Sequence, residues 1–171
     1  MPNIRRLYVL RHGKSVRDIP SPPDHDRPLA PRGERAADRI ARHLRDQGIS
    51  PDLILCSSSL RTRQTLDRLA PSFGPETTVK VERALYEAPA AGILERVRRT
   101  PDEVGSVMLI GHNPGLQDLA LMLAGRGERL PMLKEKFPTG GLATLEFEGG
   151  WADLAEGSAT LIAYVVPRQM S

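Results

Sequence analysis

Three short runs of uninterrupted apolar chain, Leu7-Tyr8-Val9-Leu10, Leu53-Ile54-Leu55-Cys56 and Val107-Met108-Leu109-Ile110, constrain this sequence most. Each passes at once into polar, turn-forming residues. A run this short without polar alternation suits a strand buried on both faces, and such strands belong to parallel sheets covered by helices. The intervening sequence supplies those helices. Ala37, Ile40, Ala41 and Leu44 repeat at i, i+3, i+4 and i+7 and predict a helix from Pro31 to about Gln47, closed by Gly48. Further helices are predicted over 60–70, over 89–99 with Ile93, Leu94 and Val97 inward, and from Leu116 to a stop at Gly125. A short strand is predicted over 78–81. Ala143, Leu145 and Phe147 alternate as a strand, and another spans 159–166 beyond the Gly149-Gly150 turn. No helix separates these last two, so one pairing there is antiparallel. The fold class is therefore α/β, one domain over residues 1–171, with a mostly parallel sheet and one antiparallel strand. Two stretches read as long loops: 14–30, where Pro20, Pro22, Pro23 and Pro28 bar helix, and 126–141.

The ends of the three runs carry the chemistry. In open α/β sheets, ligands bind outside the carboxyl ends of the strands. Those ends deliver Arg11-His12-Gly13, then Ser57-Ser58-Ser59-Leu60-Arg61-Thr62-Arg63-Gln64-Thr65, then Gly111-His112-Asn113-Pro114-Gly115. Arginine presents a planar fork that matches phosphate oxygens, so Arg11 and Arg61 can clamp a phosphoryl group from two sides. A neutral histidine is a competent nucleophile once one ring nitrogen is held, and backbone beside Gly13 can hold His12. His112 would donate to a phosphate oxygen in the transition state. A carboxylic acid could protonate the leaving group, and Glu87, after Leu85-Tyr86, is the candidate by position. Arg11, Gly13, Ser15, Arg61, His112 and Asn113 make up the substrate-binding set. Ser57 is either a pocket hydroxyl or a helix cap, and Asn113 binds either substrate or backbone. Arg63 points elsewhere on its helix. Asp24, His25 and Asp26 read as loop hydrogen-bonding groups rather than metal ligands, with Asp26 and Arg27 near the rim. The arrangement requires no metal, since the arginines and His112 take its place.

A net charge of +3 invites a nucleic-acid reading, but the 24 basic residues, 20 of them Arg, are scattered among 21 acidic ones. With three Phe, three Tyr and one Trp there is no platform for stacking bases. Arg5, Arg6, Arg96, Arg98 and Arg99 read as solvated charges. Cys56, the single cysteine, lies in an apolar run as an inert thiol. The longest apolar run, Leu119 to Ala124, is too short to span a membrane, and no signal peptide precedes the first strand. A cytoplasmic protein that meets neither membrane nor nucleic acid is expected.

Taken in order, Leu10-Arg11-His12-Gly13, Ser58 through Thr65 and Gly111-His112-Asn113-Pro114 resemble the histidine phosphatase (phosphoglycerate mutase-like) superfamily. Lys14-Ser15, Asp24-His25-Asp26-Arg27-Pro28-Leu29 and the modest length are most similar to its small bacterial phosphohistidine phosphatases. The resemblance implies a three-layer α/β/α fold, a phosphohistidine intermediate on His12, a phosphate pocket completed by Arg11, Arg61 and His112, and no metal or organic cofactor. Many members have Ala where this chain has Thr62. Leu85-Tyr86-Glu87 fits a Leu-x-Glu pattern for the acid. The expected substrate is a phosphorylated molecule, foremost a phosphohistidine protein. The alternatives are a phosphatase for a small sugar or nucleotide phosphate and a non-catalytic phosphate-binding module.

Overall fold

Side chains of β1 (Ile4–Arg11) alternate between two cores, which is why the chain needs helices on both sides. Leu7 and Val9 join one apolar cluster, Tyr8 and Leu10 the other. The computed structural model describes residues 3–17 and 23–170; Pro20 and Pro22 of the expected 14–30 loop lie outside them. The elements that follow β1 are α1 (Pro31–Asp46), β2 (Leu53–Ser57), α2 (Leu60–Leu69), β3 (Thr78–Glu82), α3 (Ala90–Arg98), β4 (Ser106–Gly111), α4 (Gly115–Leu123), β5 (Ala124–Arg126), α5 (Leu130–Glu135), β6 (Leu142–Glu148) and β7 (Ala159–Val165).

The seven strands form one sheet in the order β3-β2-β4-β1-β6-β7-β5. Only β6 runs against the rest, pairing antiparallel with both β1 and β7. Helices α1 and α2 cover one face through Ile40, Leu44, Leu66 and Leu69. Helices α3, α4 and α5 cover the other through Ile93, Val97, Leu119 and Leu133. This is the expected three-layer α/β/α arrangement with a mostly parallel sheet. No helix among the described residues is long and apolar enough to cross a membrane.

The structure departs from the sequence expectations after α4 and at two arginines, of which Arg96, expected to be solvated, is partly buried and paired with Glu82 at 2.6 Å. The helix before Gly125 runs into β5, and the expected 126–141 loop contains α5. A three-residue strand and a six-residue helix are too short to show a period. Gly125 allows the close approach of β5, since a Cβ there would lie 2.4 Å from the Gly157 carbonyl oxygen. Arg5 is buried rather than solvated, donating to the Gly149 carbonyl and to the Asp102 carbonyl at 2.7 Å. Strand alternation turns it inward beside Leu7, and its long stem carries the charge out to those carbonyls.

Candidate active site

Strand register assembles the site. Arg11 of β1 stands opposite Gly111 of β4, and Cys56 of β2 stands opposite Ile110 of β4. The residues that leave these neighbouring strands therefore emerge side by side, with the His12 and His112 rings 5.3 Å apart. The adjacent pocket, about 470 Å³, is lined by Asp24, Arg61, Glu87, His112 and Asp118 among others.

Backbone groups hold His12 in one orientation. Its Nδ1 lies 2.6 Å from the Gly13 carbonyl oxygen, which can only accept, so Nδ1 carries the proton and Nε2 keeps its lone pair. The Gly13 amide in turn donates to Thr65 Oγ1 at 3.2 Å, tying the loop to α2. Burial holds His12 far below the ordinary imidazole range, at about 3, despite the raising effect of the Gly13 carbonyl. At neutral pH the ring is uncharged, as a nucleophile must be.

Arg61 is the hub. Its Nε points to His12 Nε2 at 3.4 Å and its Nη2 to His112 Nδ1 at 3.3 Å. A guanidinium only donates, so His112 accepts at Nδ1 and donates from Nε2 to Ser57 Oγ at 2.7 Å. Burial, then Arg61, lower His112 to about 4. Arg61 also donates to Asp24, through Nη1 to its carbonyl at 2.8 Å and through Nη2 to its carboxylate at 3.1 Å. The Asp24 carboxylate also accepts from Tyr86 and Arg27. Partial burial pushes Asp24 up, but these three donors together hold it well below the usual carboxylate range. Burial and Asp24 push the Tyr86 hydroxyl up to about 12.

The three serines divide the work. Ser57 orients His112, Ser58 Oγ lies 2.8 Å from His25 Nε2, and Ser59 caps α2 by accepting from the Thr62 amide. Thr62, the departure from alanine, donates to the Ser57 carbonyl at 2.8 Å and so fastens the strand end beneath His112.

His12, Arg61 and His112 thus converge, and Arg11 stands near enough for its charge to act on both histidines. Arg11 donates to the Phe137 carbonyl at 3.0 Å and leaves its buried Nε without a partner. Glu87 lies exposed on the pocket rim with a left-handed backbone, φ 57°. Asn113 serves the protein: its amide nitrogen donates to the Phe137 carbonyl at 3.0 Å and its oxygen accepts from the Gln117 amide. Ser15 is held by its backbone in a one-residue bridge to Leu29. Arg63 points away from the site, to the Ser58 carbonyl. Asp26, exposed, faces His25, while Arg27 pairs with Asp24. Sequence reasoning missed Asp24, Tyr86 and Thr65 as site residues. The only signal for them was an acid in a loop leading to α1 and the Thr65 that ends the Arg61 motif. Among the described residues, no group of three or more His, Cys, Asp or Glu is placed to hold a metal ion.

This geometry fits the comparisons with known proteins. Residues 7–108 match the model of the histidine phosphatase superfamily, branch 1. The chain is 37% identical over 164 residues to an uncharacterized protein of Mycobacterium tuberculosis, covering 93% of this chain and all of that one. It is 27% identical over 145 residues to the phosphohistidine phosphatase SixA of Escherichia coli, covering 84% and 86% of the two chains. A crystal structure from Agrobacterium tumefaciens, provisionally assigned as a phosphohistidine phosphatase SixA, superposes with a TM-score of 0.82 at 33% identity over 95% of this chain and 98% of that one. Strand-end motifs, sheet order and relatives agree, and the chain belongs to the histidine phosphatase superfamily.

Proposed function

We propose that this chain is a metal-independent phosphatase of the cytoplasm that removes phosphate from phosphohistidine on proteins through a covalent intermediate on His12. One observation carries the reading: a buried, uncharged His12 whose Nδ1 is pinned by the Gly13 carbonyl and whose Nε2 faces the Arg61 guanidinium. The name of the Escherichia coli relative supports the substrate class.

In the first step the Nε2 lone pair of His12 attacks phosphorus. The bond from phosphorus to the leaving nitrogen breaks and its electron pair stays on that nitrogen, the ring departing as neutral imidazole because its other nitrogen carries a proton. Arg11 and Arg61 neutralise the equatorial oxygens. Resting His112 is an acceptor at Nδ1; a phosphoryl dianion arriving there favours its protonated form, which then donates to a phosphate oxygen. In the second step water attacks phosphorus, the P–Nε2 bond breaks, and phosphate leaves with His12 restored. Glu87, on the rim, would pass a proton to a leaving alkoxide and take one from water. An imidazole is expelled more readily than an alkoxide, so Glu87 matters less for phosphohistidine than for an ester.

The test is phosphate release from a histidine-phosphorylated carrier protein and from an aryl phosphate, with wild type and His12→Ala in parallel. Release from the carrier that vanishes in His12→Ala is expected. Release from the aryl phosphate alone would overturn the substrate assignment, and release from neither would overturn the catalytic one.

A further inference from the structure

A wide groove lies beside the site rather than in it. This open groove of about 810 Å³ meets the site at Arg11. Arg32, Arg35 and Arg39 of α1 form one wall, Arg168 lies near the chain end, and Lys14 stands at the neck with Arg11. Among the described residues, eight of the lining side chains are Arg or Lys and Glu135 is the single acid. For a chain of net charge +3 this is a strong local concentration.

The groove is left uncompensated by the way α1 is used. Glu34 and Asp38, the acids interleaved with those arginines, are both drawn to Arg68 of α2, at 2.7 and 3.0 Å. Arg32, Arg35 and Arg39 recur at i, i+3 and i+7 on one exposed face, spanning roughly 10 Å at the α-helical rise. One phosphate cannot reach along that distance. The pocket around Arg61 and His112 offers no second cationic track: its Arg61 is already engaged by Asp24, and Glu87 and Asp118 line it as further acids. The field therefore favours an anionic extension on the Arg11 side only. Exposed Met132 and the prolines of the groove suit a polypeptide. The one aromatic ring, Tyr164, engages its hydroxyl with the Lys136 carbonyl, and no other ring is available to stack a base.

We propose that this groove binds an acidic polypeptide segment flanking the phosphorylated side chain. The inference rests on the phosphatase reading and names the protein substrate it acts on. Long-range charge complementarity of this kind steers encounter and fixes orientation.

The experiment is fluorescence anisotropy with a labelled Glu-rich peptide of about a dozen residues that carries no phosphoryl group. The proteins are wild type, the triple variant Arg32→Ser/Arg35→Ser/Arg39→Ser, and Arg35→Glu alone as a single-site check. Wild type should bind, with affinity falling steeply as salt rises. The triple variant should bind at least about tenfold more weakly, while aryl phosphate turnover stays unchanged. On a phosphorylated carrier protein its KM should rise with kcat held. Equal binding by the variants would overturn the proposal. So would tripolyphosphate or single-stranded RNA displacing the peptide at far lower concentration, which would give the groove to another polyanion. Failure of the phosphatase reading is separately visible as no turnover of any substrate with peptide binding intact.

Discussion

Arg61 holds four groups at once: the two histidines, the Asp24 carbonyl and the Asp24 carboxylate. A lysine ammonium has the charge but not the fork, so it cannot face both imidazoles in one plane. Arg61→Lys is expected to lower kcat/KM by about 10²-fold or more, the scale for losing one preorganised donor to a transition-state oxygen. A loss under about threefold would remove Arg61 from the clamp. Glu87 poses a different problem. It adopts φ 57° without being glycine, a conformation costing roughly 1–2 kcal/mol. The pocket wall enforces it: the next residue's carbonyl packs where a Cβ on Gly115 would sit, 2.2 Å away. Glu87→Gly should therefore raise stability by up to about 1 kcal/mol in urea unfolding. The same change should depress turnover of an aryl or alkyl phosphate more than turnover of phosphohistidine. Equal loss on both substrates would argue against proton donation to the leaving group.

At the scale of elements, the His12 loop is gripped between two helices. A Cβ on Gly33 of α1 would sit 2.1 Å from the Lys14 carbonyl oxygen, while Thr65 of α2 accepts from the Gly13 amide. Gly33→Ala must push the loop and shift His12, so it should cost about 1–3 kcal/mol and reduce turnover of every substrate. Gly92 of α3 is the control. A Cβ there meets Pro89 at an ordinary 3.7 Å, and Gly92→Ala should stabilise by about 0.5–1 kcal/mol with activity unchanged. Similar behaviour of the two variants in thermal melts and aryl phosphate assays would refute this account of the loop. The grip also marks how far the sequence could be read. Buried runs ending in Arg11, Arg61 and His112 are local signals, and the helical period of α1 is another. The place of Asp24 was not readable, because a loop residue's partners depend on where the loop folds back. The basic groove was hidden for the same reason: its cations come from β1, the following loop, α1, the 132–139 region and the chain end, each unremarkable alone. Charges scattered along the chain are gathered by the fold, which the composition could not show.

For the whole molecule, burying two uncharged histidines at the carboxyl ends of β1 and β4 links stability to pH. His12 is held at about 3 and His112 at about 4, against 6.5 for a free imidazole. Above 6.5 both folded and unfolded chains hold these rings neutral, so they contribute no pH dependence. As pH falls below 6.5 the unfolded chain takes up protons that the folded one refuses, and stability declines until the folded values are reached. Asp24 acts in the same sense but in a lower window. Its depressed carboxyl stabilises the fold above its ordinary value of 3.8 and loses that effect only as pH falls further. Urea unfolding at pH 7 and pH 4.5 therefore reads the histidines, together with Glu82, whose carboxyl Arg96 lowers from 4.5 and which both proteins of the comparison share. Wild type should show a lower midpoint at pH 4.5, and His12→Gln, which keeps a polar side chain but cannot titrate, should show a smaller drop between the two pH values. His43, itself lowered by partial burial, is present in both proteins and cancels from the comparison. An undiminished drop in His12→Gln would mean that burial does not hold His12 below the ordinary imidazole range in the folded chain. The desolvated, permanently neutral nucleophile on which the proposed first step is argued would then be lost.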